Sequence, residues 1–253
     1  MTTPRDEARE DARLTSLAQR IRDLGVEIDL PYIGVTADIS SPDAMRDRSG
    51  RAFAETVFQW LDPKLEYWKD RSFALRAPFV TATRYTAEPF FYHEGRFASW
   101  RPSPTLDAID VESAAKAFGV AAAIIAPTYL PGGVIGAVVW AASEDRPSLP
   151  EVFETHSAVL QAAALRFMAA YHDGRNAAAA PVRLTRREIQ CLKWAAAGKT
   201  DQEVANIIEI SLPTVRFHVR NAAEKLGVPG RAQAIHRAAT LGYIGAPASP
   251  AHD

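Results

Sequence analysis

Two arginines four residues apart, Arg216 and Arg220, carry the side chains with the clearest chemical use in this sequence. On a helix this spacing places both guanidinium groups on one face, one turn apart. Each guanidinium can donate two hydrogen bonds to the O6 and N7 atoms of a guanine in the major groove. The pair therefore predicts base contacts with double-stranded DNA. Two arginines by themselves could equally solvate an outer helix face, so the surrounding pattern decides between the two interpretations.

The residues around the arginines have the pattern of a helix-turn-helix. Ser211 is a suitable N-cap, and Gly227 a suitable C-terminal stop, for the helix that carries them. The apolar residues of this helix recur at spacings of 4, 3 and 4 and form a stripe that faces away from the arginines: Val215, Val219, Ala222 and Leu226. A short helix and a turn over residues 209–211 precede it and complete the motif.

Capping boxes define further helices of this region. Thr185 and Glu188 form one box, and Thr200 and Glu203 form another. Each box predicts the start of a helix, and the apolar pattern predicts a fourth helix over Ala232–Leu241. The residues that these three helices are predicted to bury are Ile189, Leu192, Ala196, Val204, Ile207 or Ile208, Ile235 and Ala239.

The charge distribution favours a polyanionic partner for this region alone. Residues 182–245 contain 10 Lys or Arg and 5 Asp or Glu, whereas residues 1–181 contain 19 and 24. Contacts to DNA phosphates hold a protein in place on the duplex without reading its sequence. The residues predicted to contact phosphates or to flank the base contacts are Lys199, Thr200, Thr214, Phe217, His218, Asn221 and Lys225.

The N-terminal part has a mixed pattern, which gives the whole chain an α+β fold class. Helices are predicted over Ala8–Leu24, Ala52–Leu61 and Leu149–His172. Strands are predicted over Phe79–Tyr85, Pro89–Tyr92, Val120–Ile125 and Val134–Trp140, and Pro131–Gly133 is predicted to form a turn. Helices on both sides of a central, mainly antiparallel sheet form an α/β/α sandwich, which the C-terminal four-helix domain follows.

The chain is predicted to contain two domains. A ligand-sensing and dimerisation domain covers residues 1–172, a linker covers 173–183, the helix-turn-helix domain covers 184–245, and a frayed tail covers 246–253. The single cysteine, Cys191, excludes an intrachain disulfide and a multi-cysteine metal site, so no metal or cofactor is expected. Because no apolar run approaches the ~20 residues of a membrane helix, a cytoplasmic protein without a membrane partner is expected.

The sequence does not favour an enzyme. It contains no Gly-x-Ser-x-Gly elbow, no His-Glu-x-x-His helix and no phosphate loop that ends in Gly-Lys-Ser or Gly-Lys-Thr. The glycines at 132, 133 and 136 have strand patterns on both sides, which indicates a hairpin turn rather than a phosphate cradle.

The C-terminal region closely resembles the DNA-binding domain of LuxR-type regulators over about sixty residues. The motifs that match are the Leu-Thr-x-Arg-Glu opening, the Ala-x-Gly-Lys-Thr junction, the Thr-Val-x-x-His core and the Lys-Leu-Gly-Val exit. This resemblance places the base-reading positions of the family on Arg216 and Arg220. It implies a homodimer that reads an inverted-repeat operator with half-sites about one helical turn apart. RNA polymerase is a further partner that the resemblance suggests.

The N-terminal part resembles, more weakly, the autoinducer-binding domain of the quorum-sensing branch. Ala77 stands where that branch has an aspartate that grips the amide of an acyl-homoserine lactone. Tyr92 replaces a tryptophan, Val139 replaces a hydroxyl-bearing residue, and Lys64 replaces a second tryptophan, whereas Trp68 retains an aromatic ring. Loss of the carboxylate would leave a ligand amide unpaired at a cost of about 1–3 kcal/mol.

The resemblance therefore implies a small apolar or aromatic signal rather than a typical acyl-homoserine lactone. The predicted ligand contacts are Trp60, Tyr67, Trp68, Ala77, Phe79, Phe91, Tyr92, Trp100, Tyr129 and Val139. Most of these rings could instead be ordinary core residues. The alternative function is a ligand-independent regulator whose N-terminal domain serves only dimerisation or protein contacts. A phosphorylation-controlled response regulator is disfavoured, because the regular alternation of five strands and helices is not visible.

Overall fold

The computed structural model describes residues 4–61, 77–174 and 181–245. The chain divides into an N-terminal and a C-terminal unit, with the boundary between residues 177 and 178. The elements of the N-terminal unit are α1 (Pro4–Glu27), β1 (Tyr32–Thr36), α2 (Phe53–Thr56), α3 (Pro78–Tyr85), β2 (Phe90–His93), β3 (Arg96–Ala98), α4 (Pro104–Asp107), α5 (Glu112–Ala117), β4 (Ala122–Leu130), β5 (Val134–Ala142) and α6 (Leu149–Asp173). Those of the C-terminal unit are α7 (Arg186–Ala196), α8 (Asp201–Ile207), α9 (Leu212–Leu226) and α10 (Arg231–Thr240).

The N-terminal unit is built on a five-stranded antiparallel sheet with the strand order β1-β5-β4-β2-β3. Strands β4 and β5 form the hairpin that the sequence predicts, with Leu130 paired to Val134 next to the turn. Gly132 and Gly133 both have positive φ, 85° and 76°, which residues with a Cβ rarely adopt. The predicted α+β class and central antiparallel sheet are therefore confirmed.

Side chains alternate between two cores on opposite faces of this sheet. One face packs against α1 and α6, where Trp140, Phe153 and Phe167 are among the largest fully buried side chains. The indole Nε1 of Trp140 donates a hydrogen bond of 2.9 Å to the Ile21 carbonyl and so fastens α1 to β5. The other face carries the second core, to which Phe90 contributes.

Two predicted elements of the N-terminal unit are wrong. The β-branched stretch Phe79–Tyr85 is a helix, α3, rather than a strand. Pro78 starts this helix because its fixed φ and missing N–H suit the first turn, and the Thr83 hydroxyl donates back to the Phe79 carbonyl at 2.8 Å. The predicted helix over Ala52–Leu61 is helical only in α2, because the hydrogen bonds to the helix end at Phe58 and the Gln59 carbonyl accepts a hydrogen bond from the Ile33 amide of β1.

The C-terminal unit consists of the four predicted helices. Both capping boxes are present, since Thr185 and Thr200 each accept from the amide three residues on while Glu188 and Glu203 reach back. One detail of the predicted core differs. Of the two predicted alternatives on α8, Ile208 packs against the core and Ile207 is exposed, and α10 buries Ala234 and Ala238 instead of Ala239.

The two ends of the C-terminal unit meet in its core. Val182 packs there together with Leu184, and the Tyr243 hydroxyl donates a hydrogen bond to the Val182 carbonyl. Within the described ranges no helix combines the length and apolar content that crossing a membrane requires. Those ranges also hold no cluster of three or more His, Cys, Asp or Glu that could bind a metal ion.

Candidate functional site

Helix α9 presents a basic outer face because its opposite face is buried. Ser211 caps its first turn by accepting from the Thr214 amide, and Gly227 ends it with a left-handed φ of 68°. The predicted apolar stripe of Val215, Val219, Ala222 and Leu226 is buried. Arg216 and Arg220 point away from that stripe, with 68% of each side chain exposed. The structure therefore places both guanidinium groups on one accessible face of one helix.

Acidic residues hold these arginines in the free protein. The Arg216 Nε atom lies 3.7 Å from a carboxylate oxygen of Asp201, and the Arg220 Nε atom lies 3.8 Å from Glu224. The Arg220 guanidinium also lies 5.8 Å from the centre of the Phe217 ring, a cation–π distance. These exposed contacts orient the side chains weakly, so a DNA ligand can replace them.

Arg231 joins this basic face, although the sequence did not single it out. It starts α10, and its Nε atom lies 3.4 Å from Asp201. Its guanidinium donates to the Lys199 carbonyl at 2.5 Å, which brings α10 to the start of α8. No local pattern marks Arg231, because its neighbours on this face belong to another part of the chain.

The predicted flanking residues lie around this face. Lys199 Nζ is 3.3 Å from Glu203, whose carboxylate also accepts from the Thr200 amide and hydroxyl. Thr214 contacts the capping Ser211 through its hydroxyl at 2.7 Å. The half-buried His218 ring lies 5.7 Å from Phe217, and Asn221 is half-buried one turn further on.

Lys225, one of the predicted phosphate contacts, forms an ion pair with a buried carboxylate in the free protein. Its Nζ atom lies 2.8 and 2.9 Å from the two carboxylate oxygens of Glu188, which is almost fully buried. Burial opposes ionisation of Glu188, but the Lys225 ammonium and the Thr185 amide outweigh it and hold the pKa of Glu188 below its ordinary value. Lys225 therefore neutralises an internal carboxylate that a phosphate would have to displace.

A cavity of about 110 Å³ lies on the sheet face opposite α1 and α6. Most of its wall is aromatic and aliphatic, and Ser41 and Asp43 add polar groups from a loop after β1. The lining residues are Gly34, Val35, Thr36, Ser41, Pro42, Asp43, Ala44, Trp60, Ala77, Phe79, Val80, Phe118, Ala137 and Val139. Asp43 is the one charged residue in that set.

The structure brings four of the predicted ligand contacts together at this cavity: Trp60, Ala77, Phe79 and Val139. Tyr92 lies behind them, since its ring centre is 6.0 Å from that of Phe79. Burial and the nearby Glu112 carboxylate raise the pKa of Tyr92 above its ordinary value, so its phenol stays neutral.

Three other predicted ligand contacts lie away from the cavity. Phe91 and Trp100 pack on the opposite side, with ring centres 4.8 and 5.3 Å from that of Phe153 of α6. Tyr129 is on the cavity side of the sheet, but its ring is largely exposed and its hydroxyl donates to the Thr83 carbonyl at 2.9 Å. Tyr67 and Trp68 lie outside the described residues.

Several cavity residues were missed by the sequence analysis. Gly34 and Thr36 come from β1, a strand that the sequence analysis did not identify. Their spacing of two residues is the available signal, because alternate residues of a strand share a face. Ser41 and Asp43 carry no such signal, since a loop has no fixed period.

Comparison with known proteins matches both units. Residues 182–238 match the family described as bacterial regulatory proteins, luxR family, and residues 59–171 match the autoinducer binding domain. The transcriptional activator protein PhzR of Pseudomonas fluorescens is 30% identical over 186 residues, which cover 71% of this chain and 72% of PhzR. The transcriptional activator protein VanR of Vibrio anguillarum is 56% identical over 61 residues, a match that spans only 25% of VanR.

A solved structure has a similar fold. The structure described as SdiA in complex with octanoyl-rac-glycerol has a TM-score of 0.50 and 20% sequence identity, with 96% of this chain and 97% of that chain covered. The resemblance inferred from the residues is thus confirmed over both units. The chain belongs to the LuxR family of bacterial DNA-binding regulators and carries an autoinducer-binding domain.

Proposed function

We propose that this protein is a ligand-responsive transcription regulator that reads a specific DNA sequence through Arg216 and Arg220. The observation that supports this assignment is the exposure of both guanidinium groups on one face of α9, while the opposite face is buried. Such a face fits the major groove, where bidentate arginine contacts distinguish guanine from the other bases. Lys199 is the proposed phosphate contact beside it.

The proposed ligand is a small apolar or aromatic molecule that occupies the cavity beside Phe79 and Val139. The wall is apolar for the most part, which favours burial of an apolar ligand. Ala77 lines this wall without offering a hydrogen-bond acceptor in its side chain, so an acyl-homoserine lactone amide would lack the carboxylate that the resemblance implies. Asp43 and Ser41 are the proposed polar contacts to the ligand.

The proposed active form is a homodimer that binds an inverted repeat. Helix α6 is the proposed contact between the copies, because Val159 is half-exposed and the partly buried Val152 and Ala163 lie on the same helical face. A ligand that binds one arrangement of the N-terminal unit better than another would shift the population of dimers able to bind DNA.

The ligand-independent regulator remains the second candidate, and the absence of a carboxylate at Ala77 favours it. The experiment that separates the two is thermal unfolding of the purified full chain with a panel of acyl-homoserine lactones and small aromatic compounds. Ligand at a hundredfold excess over its Kd stabilises the folded state by about 2.7 kcal/mol, which shifts the unfolding temperature by several degrees. A shift with aromatic compounds only supports the proposal, whereas a shift with lactones only contradicts the proposed ligand class. No shift in a protein that already binds DNA supports the second candidate.

A further inference from the structure

Asp201 contacts two arginines of the basic face described above. Its two carboxylate oxygens lie 3.7 Å from Arg216 Nε and 3.4 Å from Arg231 Nε, so one acid contacts arginines from two helices. Its side chain is 28% exposed, less than that of either arginine. This carboxylate therefore stands at a surface that the proposed function brings against DNA phosphates.

A carboxylate at this position opposes DNA binding in two ways. It repels the phosphates of any duplex, whatever the sequence. It also competes for Arg216, which must leave the carboxylate before it can donate to a base. A guanine edge offers the guanidinium two acceptors in a fixed plane, whereas non-cognate DNA offers Arg216 only phosphates or mismatched base edges. The exchange of the Asp201 carboxylate for a DNA acceptor is thus more favourable for Arg216 on cognate DNA than on non-cognate DNA.

We propose that Asp201 is a specificity-determining residue, which raises sequence discrimination by weakening binding to non-cognate DNA more than binding to the operator. Selectivity of this kind comes from an interaction that disfavours the wrong partner. The inference rests on the proposed function, since it assumes that Arg216 reads bases. Asp201 holds Arg231 in the same way as Arg216. On non-cognate DNA, loss of Asp201 frees the Arg231 guanidinium to contact a phosphate.

Asp201 also has a structural role that the test must separate from this one. As the first residue of α8 it interacts favourably with the positive end of the helix dipole, as any first-turn acid does. Removal of its charge therefore lowers the stability of the unit in either case. A merely structural role would weaken operator binding or leave it unchanged, and it would not raise the affinity for random DNA.

The test compares Asp201→Asn with the wild-type full chain on two duplexes. The first is the duplex that the wild-type protein selects from a randomised pool, and the second is a scrambled version of it. Glu151→Gln is the matched control, because Glu151 is also an acid in the first turn of a helix but belongs to the N-terminal unit. Fluorescence anisotropy gives the Kd on each duplex over a range of salt concentrations.

We expect Asp201→Asn to bind the scrambled duplex about tenfold more tightly and the selected duplex no more than about threefold more tightly. The log K against log salt slope on the scrambled duplex should steepen by about 0.9, the value for one added phosphate contact. Equal gains on both duplexes, or gains matched by Glu151→Gln, would overturn the inference. If the wild-type protein selects no sequence from the pool, the proposed function fails and the inference fails with it. If Arg216→Ala keeps the full preference for the selected duplex, the base-reading role of Arg216 is wrong instead.

Discussion

Lys225 of α9 and Glu188 of α7 form an ion pair in which the ammonium lies 2.8 and 2.9 Å from the two oxygens of a buried carboxylate. The same carboxylate accepts from the Thr185 amide at 2.7 Å and completes the capping box of α7. One side chain therefore starts the first helix of the C-terminal unit and holds α9 against it. Both the stability of that unit and the position of Arg216 therefore depend on this carboxylate.

Glu188→Gln is expected to loosen α9 from α7. The variant removes charge-assisted hydrogen bonds and leaves the Lys225 ammonium without its anion, so local stability should fall by about 1.5–3 kcal/mol. Hydrogen exchange of the full chain, read by mass spectrometry, should show faster exchange in peptides from both helices and no change around β4 and β5. Glu224→Gln, which alters an exposed acid on α9, is the control. Unchanged protection of α9 in Glu188→Gln would contradict the coupling.

Stability of the C-terminal unit is expected to fall as the solution becomes acidic. The folded-state pKa of Glu188 is lowered from its ordinary 4.5, so this group stabilises the folded state above that pH. The contribution is lost as the pH falls through the lower folded-state value. Urea unfolding between pH 6 and pH 3.5, followed by circular dichroism, should show a smaller acid-induced loss in Glu188→Gln than in the wild type. Parallel curves for the two proteins would exclude this role.

Arg216→Ala and Arg220→Ala are each expected to weaken binding to the selected duplex by roughly 5–150-fold, the equivalent of about 1–3 kcal/mol for a bidentate base contact. Binding to the scrambled duplex should change far less, because phosphate contacts do not depend on these bases. Thermal unfolding should be unchanged, since both side chains are exposed. Arg13→Ala, at an exposed arginine of α1, is the control for lost charge. Retained sequence preference in both variants would refute the assignment of α9 as the base-reading helix.

Val139→Phe is expected to fill the cavity and abolish stabilisation by the ligand. The larger side chain points to the same sheet face as Ala137 and takes up the space that the ligand needs. The unfolding temperature without ligand should change by only a few degrees, and the shift with an active compound should disappear. Val26→Phe introduces the same side chain at an exposed valine and should keep the shift. A full ligand shift in Val139→Phe would place the ligand elsewhere.

Ala77→Asp is expected to create a response to acyl-homoserine lactones. Ala77 is buried at the cavity and is the N-cap of α3, where it makes no side-chain hydrogen bond to the helix. A new carboxylate there can be stabilised by the first turn of α3, which offsets part of its burial cost. N-octanoyl-homoserine lactone should then bind about 5–150-fold more tightly than to the wild type, the equivalent of about 1–3 kcal/mol. Ala77→Asn is the control, because it can cap the helix without the charge. Equal lactone binding by all three proteins would show that another residue grips the amide.

The parts of the molecule that local chemistry specifies were predictable from the sequence. Capping boxes at Thr185 and Thr200 fix helix starts within four residues, so the C-terminal unit was predicted closely. The turn before β5 was predictable for the same reason. By contrast, α3 was mistaken for a strand, because its β-branched residues favour a strand while Pro78 and the surrounding packing favour a helix.

The parts that depend on distant partners were not predictable. Phe91 and Tyr92 are neighbours in one aromatic cluster, but only the strand register decides which of them faces the cavity. The sequence pattern predicts an exposed side chain for both Arg231 and Lys225. Their partners lie 30 and 37 residues away, at Asp201 and Glu188, so no local pattern reveals which of the two cations pairs with a buried carboxylate.

The separation of the two cores by the sheet has a consequence for how this protein can change over generations. On β5, Val138 and Trp140 face α1 and α6, whereas Ala137 and Val139 face the cavity. Under the proposed function, mutations at odd-numbered positions of this strand can therefore alter which chemical is detected while the helix pair behind it stays intact. Mutations at even-numbered positions disturb the core shared with α1 and α6 and so lower the stability of the whole unit. The proposed ligand specificity can thus change through a few substitutions on a single side of one strand.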